Sequence, residues 1–356
     1  MFLSVFGVLV SVSGCHWLFV WIGFEVNLIG FIPYLINSGL DFRSESGMKY
    51  FLVQALGSIL FAFGSVLWLG SSYSIFSVGE GYGSGISEDI VSMSSAGVVC
   101  VVFSLLLKVG SFPFHYWLPD VVTSNSWSSC SMILTTQKIA PFVVLFSMVD
   151  YTPKVVFWLL VLSALGSSFI GGVGGIGESS VRLLMAYSSI GHTGWILFSM
   201  FLGYSAFMVY FVVYLVLVGS MFLLLSSLNS KLVVLVSGSD DSGAEMASGW
   251  GIISVLLSLG GVPPFLGFMS KWVVISLSMG SGMIFFVAVL IVGSLLSLYY
   301  YLVLVFGVFF SKSTVMGKYM HRGSGAGLYG EWRFVFLIVS LLVVNLLGSA
   351  FCLFFL

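Results

Sequence analysis

Residues 259–268 read Leu259-Gly260-Gly261-Val262-Pro263-Pro264-Phe265-Leu266-Gly267-Phe268, and residues 108–115 read Lys108-Val109-Gly110-Ser111-Phe112-Pro113-Phe114-His115. Each lies inside an apolar run and sets glycine shortly before proline and phenylalanine. Proline removes a backbone donor and clashes with the preceding turn, while glycine lets the chain unwind. Backbone carbonyls freed at membrane depth are tolerated only against protein or a wet cavity. Two Gly/Pro-interrupted segments in corresponding halves are the pattern of an inverted-repeat transporter. Two ordinary proline kinks are the plainer reading, but the echo between halves and the nearby lysines favour a functional one.

The rest of the chain agrees with a membrane setting. Of 356 residues, 59% are hydrophobic, 17% aromatic and only 7% charged, against about 25% charged in soluble domains. The composition predicts an all-α polytopic membrane protein. A formal net charge of −1 makes no case for a nucleic-acid partner. Cys15, Cys100, Cys130 and Cys352 show no metal-ligand spacing and read as small core residues. Met1–Gly14 lacks the basic n-region of a cleavable signal.

A membrane-crossing helix needs roughly 20 apolar residues. Charges, Gly/Ser clusters and prolines divide the chain into about eleven candidates: 1–14, 17–37, 49–70, 93–117, 124–148, 154–173, 182–202, 204–229, 248–278, 282–310 and 333–355. The stretch 183–230 must turn near Gly203–Ser205. The polar inserts 71–92, 230–247 and 311–332 are too short for cores of their own, so residues 1–356 form one domain. With eleven spans, the N-terminal side collects Arg43, Lys49, Arg182, Lys231, Lys312, Lys318, Arg322 and Arg333. The opposite side holds Lys154 with Glu80, Glu88 and Asp89. That bias places the N-terminus inside and the C-terminus outside.

Four charges remain within apolar spans: Glu25, Lys108, Lys138 and Lys271. A lysine at a helix centre costs roughly 2.5–3.5 kcal/mol on insertion scales, so retention there points to ion or proton movement. Their bland alternative is an anchor snorkelling from a helix end. Lys138 falls midway along the fifth span, read as unbroken, and Lys271 follows the second break. Glu25 has no partner at helical spacing in its own span, and Lys108 is the most plausible counter-charge. His115 and His192 can relay protons because imidazole titrates near neutrality. Gly172-Val-Gly-Gly-Ile-Gly177 matches a dinucleotide fingerprint in letters only, with no βαβ context and no acidic residue about 20 positions on.

At these motifs the chain resembles the subunit 2 family of mitochondrial NADH dehydrogenase, the proton-pumping NADH:ubiquinone oxidoreductase or respiratory complex I. The resemblance runs through Trp21-Ile-Gly-Phe-Glu-Val-Asn27, Lys49-Tyr-Phe-Leu-Val-Gln54, Lys108 to Trp117, Gln137-Lys-Ile-Ala-Pro141, Ala186 to Trp195, and Ser258 to Trp272. Arg182-Leu183 departs from a family position often held by two basic residues. Weaker similarity to Na⁺/H⁺ antiporter subunits is expected.

The resemblance implies two inverted five-helix repeats, 1–150 and 151–310, with a final helix at 333–355. The fourth and ninth spans would be discontinuous around Gly110 and Pro113, and around Gly260, Gly261, Pro263 and Pro264. It implies proton translocation through Glu25, Lys108, Lys138 and Lys271, with Glu25 and Lys108 as a charged pair. NADH, FMN, iron–sulfur clusters and ubiquinone would be bound by other subunits, leaving no cofactor or metal in this chain. Partners would be other membrane-arm subunits and lipids, in an obligate hetero-oligomer of the mitochondrial inner membrane. The N-terminus would face the matrix and the C-terminus the intermembrane space. A self-standing cation/proton antiporter is the alternative.

Overall fold

The computed structural model describes residues 1–36, 41–72, 88–149, 153–227, 243–315 and 345, and its regular elements there are all helical. In order they are α1 (Phe2–Ser13), α2 (Trp17–Ile36), α3 (Asp41–Ser72), α4 (Glu88–Val109), α5 (Trp117–Ser124), α6 (Trp127–Leu134) and α7 (Thr136–Val149). Then come α8 (Lys154–Gly174), α9 (Val181–Ser199) with a 3₁₀ turn at Met200–Leu202, α10 (Tyr204–Ser227), α11 (Gly243–Gly260), α12 (Leu266–Ser281) and α13 (Ile284–Val315).

Among the described residues, six stretches are long and apolar enough to cross a membrane: Trp17–Ile36, Glu45–Trp68, Trp127–Val149, Lys154–Gly174, Tyr204–Ser226 and Ile284–Gly307. Phe2–Ser13, Ser95–Val109 and Gly249–Gly260 are shorter apolar helices. The expected span 333–355 lies outside the described residues except for Asn345, so the total of eleven is not established. Much of the three polar inserts also lies outside them. The turn expected near Gly203 is present, with Gly203 at φ 114°, a backbone region that glycine enters without steric cost.

The fifth span departs from its reading as unbroken. Its helix is interrupted at Thr135, between α6 and α7. The Thr135 and Thr136 hydroxyls donate back to the carbonyls of Ser131 (2.6 Å) and Met132 (3.0 Å), a habit that bends helices. Pro141 lies one turn further on and supplies no N–H. Lys138 therefore stands on the first turn after an interruption.

The packing repeats along the chain. In the first set α1 lies on α2, α3 on α4 and α5, and α7 on both α1 and α4. In the second, α8 lies on α9, α10 on α11 and α12, and α13 on both α8 and α11. The Gly/Pro break falls in the fourth member of each set. Buried aromatics such as Trp17, Phe24 and Phe61 fill the first set, with Phe24 edge-on to Phe61 at 5.2 Å. The outer surface is apolar too, including Phe19, Ile59, Leu162 and Leu295, as an acyl-chain environment requires.

Close helix approach rests on small residues. A Cβ on Gly171 of α8 would strike the backbone of Gly191 on α9, whereas one on Gly219 of α10 meets nothing within 4 Å. Gly171→Ala should lower stability by about 1–3 kcal/mol, as overpacking does. Gly219→Ala should be neutral or stabilising, since alanine is the better helix former by about 1 kcal/mol. Thermal unfolding midpoints of the detergent-solubilised protein check the contrast.

Candidate functional site

Both Gly/Pro breaks close with the same hydrogen bonds. At the end of α4, the Gly110 N–H reaches the Leu107 carbonyl (3.3 Å) and the Ser111 N–H the Leu106 carbonyl (3.2 Å). At the end of α11, the Gly261 N–H reaches the Ser258 carbonyl (2.9 Å) and the Val262 N–H the Leu257 carbonyl (3.1 Å). This is the Schellman arrangement, which places the residue after the C-cap in the left-handed region. Gly110 at φ 74° and Gly261 at φ 81° fill that position. Pro113, and Pro263 with Pro264, then occupy the crossings to α5 and α12, where no helical N–H is needed. The chain thus stops and restarts; it does not merely kink.

Carbonyls at these ends also take donors from elsewhere. Trp117 Nε1 donates to the Leu107 carbonyl (3.1 Å), and Gln54 Nε2 to the Lys108 carbonyl (3.3 Å). Lys108 Nζ returns a bond to the Gln54 carbonyl (3.4 Å) and lies 4.5 Å from the Phe24 ring centroid. At the second break, Lys271 Nζ donates to the Gly260 carbonyl at 3.0 Å. The ammonium caps the carbonyl end of α11, where a cation is favoured. A side chain on Gly261 would meet that ammonium at 2.9 Å, so lysine and glycine fit as a pair.

The interruption at Thr135 follows the same rule. The Lys138 N–H bonds the Thr135 carbonyl (3.1 Å), which releases Leu134. Tyr214 Oη of α10 donates to the Leu134 carbonyl (2.9 Å) and accepts from Lys138 Nζ (3.4 Å). All three lysines are buried, with Lys138 1%, Lys108 6% and Lys271 8% exposed. Burial to that degree removes the snorkelling anchor as an account of any of them.

His192 joins the second and third lysines. Its Nδ1 lies 3.0 Å from Tyr210 Oη, and its ring is 5.6 Å from the Tyr214 ring. A cavity of ≈ 10 Å³ lined by Ser168, Ser188, His192, Trp195, Lys271 and Ser297 separates His192 from Lys271. That is about the room of one water, with polar partners to hold it. Lys138, Tyr214, His192 and Lys271 therefore form a nearly continuous polar series.

The other two residues expected on the axis, Glu25 and His115, have different surroundings. Glu25 and Lys108 make no ion pair among the described residues. Glu25 is half-buried on α2 and its charge acts on Lys108 from beyond salt-bridge distance. Side-chain sign and the family resemblance both suggested the pair, whereas the near contacts of Lys108 are a neutral ring and a backbone carbonyl. His115 is buried at the first break. It lines a separate open pocket of ≈ 430 Å³ with Asp120, Phe169 and Tyr187, its ring centroid 4.1 Å from that of Tyr116. Tyr210 and Tyr214 escaped sequence reasoning, and Gln54 entered it only inside a motif, because none bears a charge. The helical spacing of Tyr210 and Tyr214, four residues apart, is the one signal that could have found them. No group of three or more His, Cys, Asp or Glu residues is placed to hold a metal ion among the described residues.

Broken apolar helices that carry buried lysines, joined by hydroxyls and an imidazole, define a class: multi-pass membrane proteins with a charged interior axis. A family model described as NADH:quinone oxidoreductase/Mrp antiporter, transmembrane, matches residues 14–297. NADH-ubiquinone oxidoreductase chain 2 of Lumbricus terrestris is 36% identical over 302 residues, spanning 84% of this chain and 82% of the relative. The protein of that name from Anopheles gambiae is 34% identical over 310 residues, spanning 87% and 84%. The fold is similar to a chain of respiratory complex I from Thermus thermophilus, with TM-score 0.77, 23% identity, and coverage of 97% of this chain and 77% of that one. The chain belongs to the NADH:quinone oxidoreductase/Mrp antiporter transmembrane family, and within it to the NADH-ubiquinone oxidoreductase chain 2 proteins.

Tyr214→Phe should strand the Leu134 carbonyl and remove the hydroxyl partner of Lys138. An unmet buried polar group and a lost interhelical bond together cost about 1–2 kcal/mol. A lowered thermal midpoint of the purified protein, with helicity unchanged by circular dichroism, is the expected result.

Proposed function

We propose that this chain is a proton-translocating membrane-arm subunit of respiratory complex I in the mitochondrial inner membrane. It couples NADH:ubiquinone electron transfer elsewhere in the complex to proton movement along its own charged axis. The observation that carries the reading is the buried series Lys138–Tyr214–His192–Lys271, with Lys108 at the preceding break, in a chain of this family. Its enzymatic role is as a member of NADH:ubiquinone reductase. NADH, FMN, iron–sulfur clusters and ubiquinone belong to other subunits in this proposal. The partners are those subunits of the membrane arm, together with lipid.

In the proposed mechanism each lysine is a site that exchanges a proton with its neighbour. Low dielectric disfavours the charged form of an amine, so a small change of local field shifts its occupancy. The Glu25 charge biases Lys108 from outside contact distance. His192 and one water in the adjoining cavity bridge Lys138 and Lys271. His115 serves a side pocket lined by residues of both halves. The basic loops set the N-terminus in the matrix and the C-terminus in the intermembrane space. In this proposal the repeats are 1–150 and 151–310, inverted because five spans is an odd number.

Lys138→Met should abolish proton pumping in the assembled complex and slow coupled NADH oxidation by roughly 10²-fold or more, the usual loss on removing a proton-transfer group. NADH oxidation by an artificial acceptor at the redox arm should be unchanged. Proteoliposomes carrying a pH-sensitive dye measure both. Unchanged protons per NADH would reduce the lysines to helix locks. Cation/proton exchange by the isolated chain in liposomes would favour a self-standing antiporter.

A further inference from the structure

Between the surroundings of Lys108 and Lys138 lies a buried polar node that the series above does not use. Asn27 Nδ2 donates to Gln137 Oε1 at 2.6 Å, and Gln137 Nε2 donates to Asn27 Oδ1 at 3.0 Å. Tyr50 Oη donates to the same Gln137 Oε1 at 3.2 Å. Three elements meet there: α2 through Asn27, α3 through Tyr50 and α7 through Gln137. All three side chains are buried, Tyr50 almost wholly. Tyr50 is also edge-on to Phe31 (5.2 Å) and to Trp117 (6.0 Å), the residue whose indole N–H holds the Leu107 carbonyl at the first break. One turn beyond Tyr50 on α3 is Gln54, bonded to Lys108 in both directions.

The chemistry of the node suits holding more than carrying. Amides do not titrate, and a phenol near pKa 10 keeps its proton at neutral pH. Gln137 is the residue immediately before Lys138, two positions past the interruption at Thr135. Its oxygen already accepts two hydrogen bonds, the full capacity of an amide oxygen. It therefore offers the adjacent ammonium no acceptor, and Lys138 turns to Tyr214 on α10. An interrupted helix has lost part of its own stiffness, so an external tie is what fixes the direction of its lysine.

We propose that the Asn27–Gln137–Tyr50 node is a positioning clamp, which ties the turn bearing Lys138 to α2 and α3 and keeps that lysine directed at Tyr214. The assignment rests on the proton-translocation reading above. Without the clamp, Lys138 loses its fixed spacing from Lys108 on one side and Tyr214 on the other. Displacement of a reacting group by about 1 Å can cost 10²-fold in rate.

The test uses the assembled complex in proteoliposomes, with proton uptake and NADH oxidation measured together and normalised to assembled complex. Gln137→Met should cut protons pumped per NADH and slow coupled turnover by roughly 10–100-fold, while oxidation by an artificial acceptor stays unchanged. The reciprocal swap, Asn27→Gln with Gln137→Asn, preserves a paired amide bridge and should recover most of the loss. Pumping by Gln137→Met equal to that of the unaltered complex, or a swap no better than the single variant, overturns the clamp. If Gln137→Met fails to assemble, Tyr50→Phe decides: it deletes one donor and keeps the ring contacts. It should lower protons per NADH by a measurable fraction, and an unaltered ratio overturns the proposal. Lys138→Met runs alongside. Normal pumping there removes the functional reading itself, whereas loss there with normal Gln137→Met removes only the clamp.

Discussion

A backbone carbonyl released from a helix inside a membrane must find a donor, and water is scarce there. The interior of this molecule is arranged around that demand. Among the described residues three helices are interrupted, after Val109, at Thr135 and after Gly260, and a lysine stands beside each interruption. Glycine-centred caps absorb part of the debt at two of them. The remainder falls to side chains: Trp117 and Gln54 at the first, Tyr214 at the second, Lys271 itself at the third. The lysines and their partners are thus placed by the same backbone defects that make room for them. Interrupted helices and buried charge are one feature with two aspects.

Magnitudes show why such sites can respond to a driving force. Moving one charge across a 100 mV potential involves about 2.3 kcal/mol. A helix terminus acting on a partly buried charge contributes up to about 2 kcal/mol. Insertion scales give a central lysine a penalty of roughly 2.5–3.5 kcal/mol. These quantities are of one size, so no single term overwhelms the others. A modest rearrangement next to Lys138 or Lys271 is then comparable with the membrane field, which is the condition for coupling one to the other.

The two Gly/Pro breaks were legible in the sequence because glycine and proline act on the backbone directly, and Gly203 marked its turn for the same reason. The break at Thr135 was not legible. It comes from threonine hydroxyls bonding back along the helix and from a tyrosine 80 residues away taking the Leu134 carbonyl, and no local pattern announces that. Lys108, Lys138 and Lys271 stood out by charge alone. Their partners did not, since Tyr214, Gln54 and the Gly260 carbonyl are neutral. Glu25 and Lys108 make no contact ion pair among the described residues for a related reason: opposite signs in one chain suggest attraction without showing adjacency.

The partner of Lys271 differs in kind from a carboxylate. A glutamate beside an ammonium competes for the proton, and the pair can neutralise itself by internal transfer. The Gly260 carbonyl cannot take the proton, yet the terminus of α11 keeps its partial negative charge whatever the lysine does. Lys271 thus sits against a permanent counter-charge with no titration of its own. A proton leaving that site has to go onward to another molecule or side chain, because its nearest electrostatic partner has nowhere to store it.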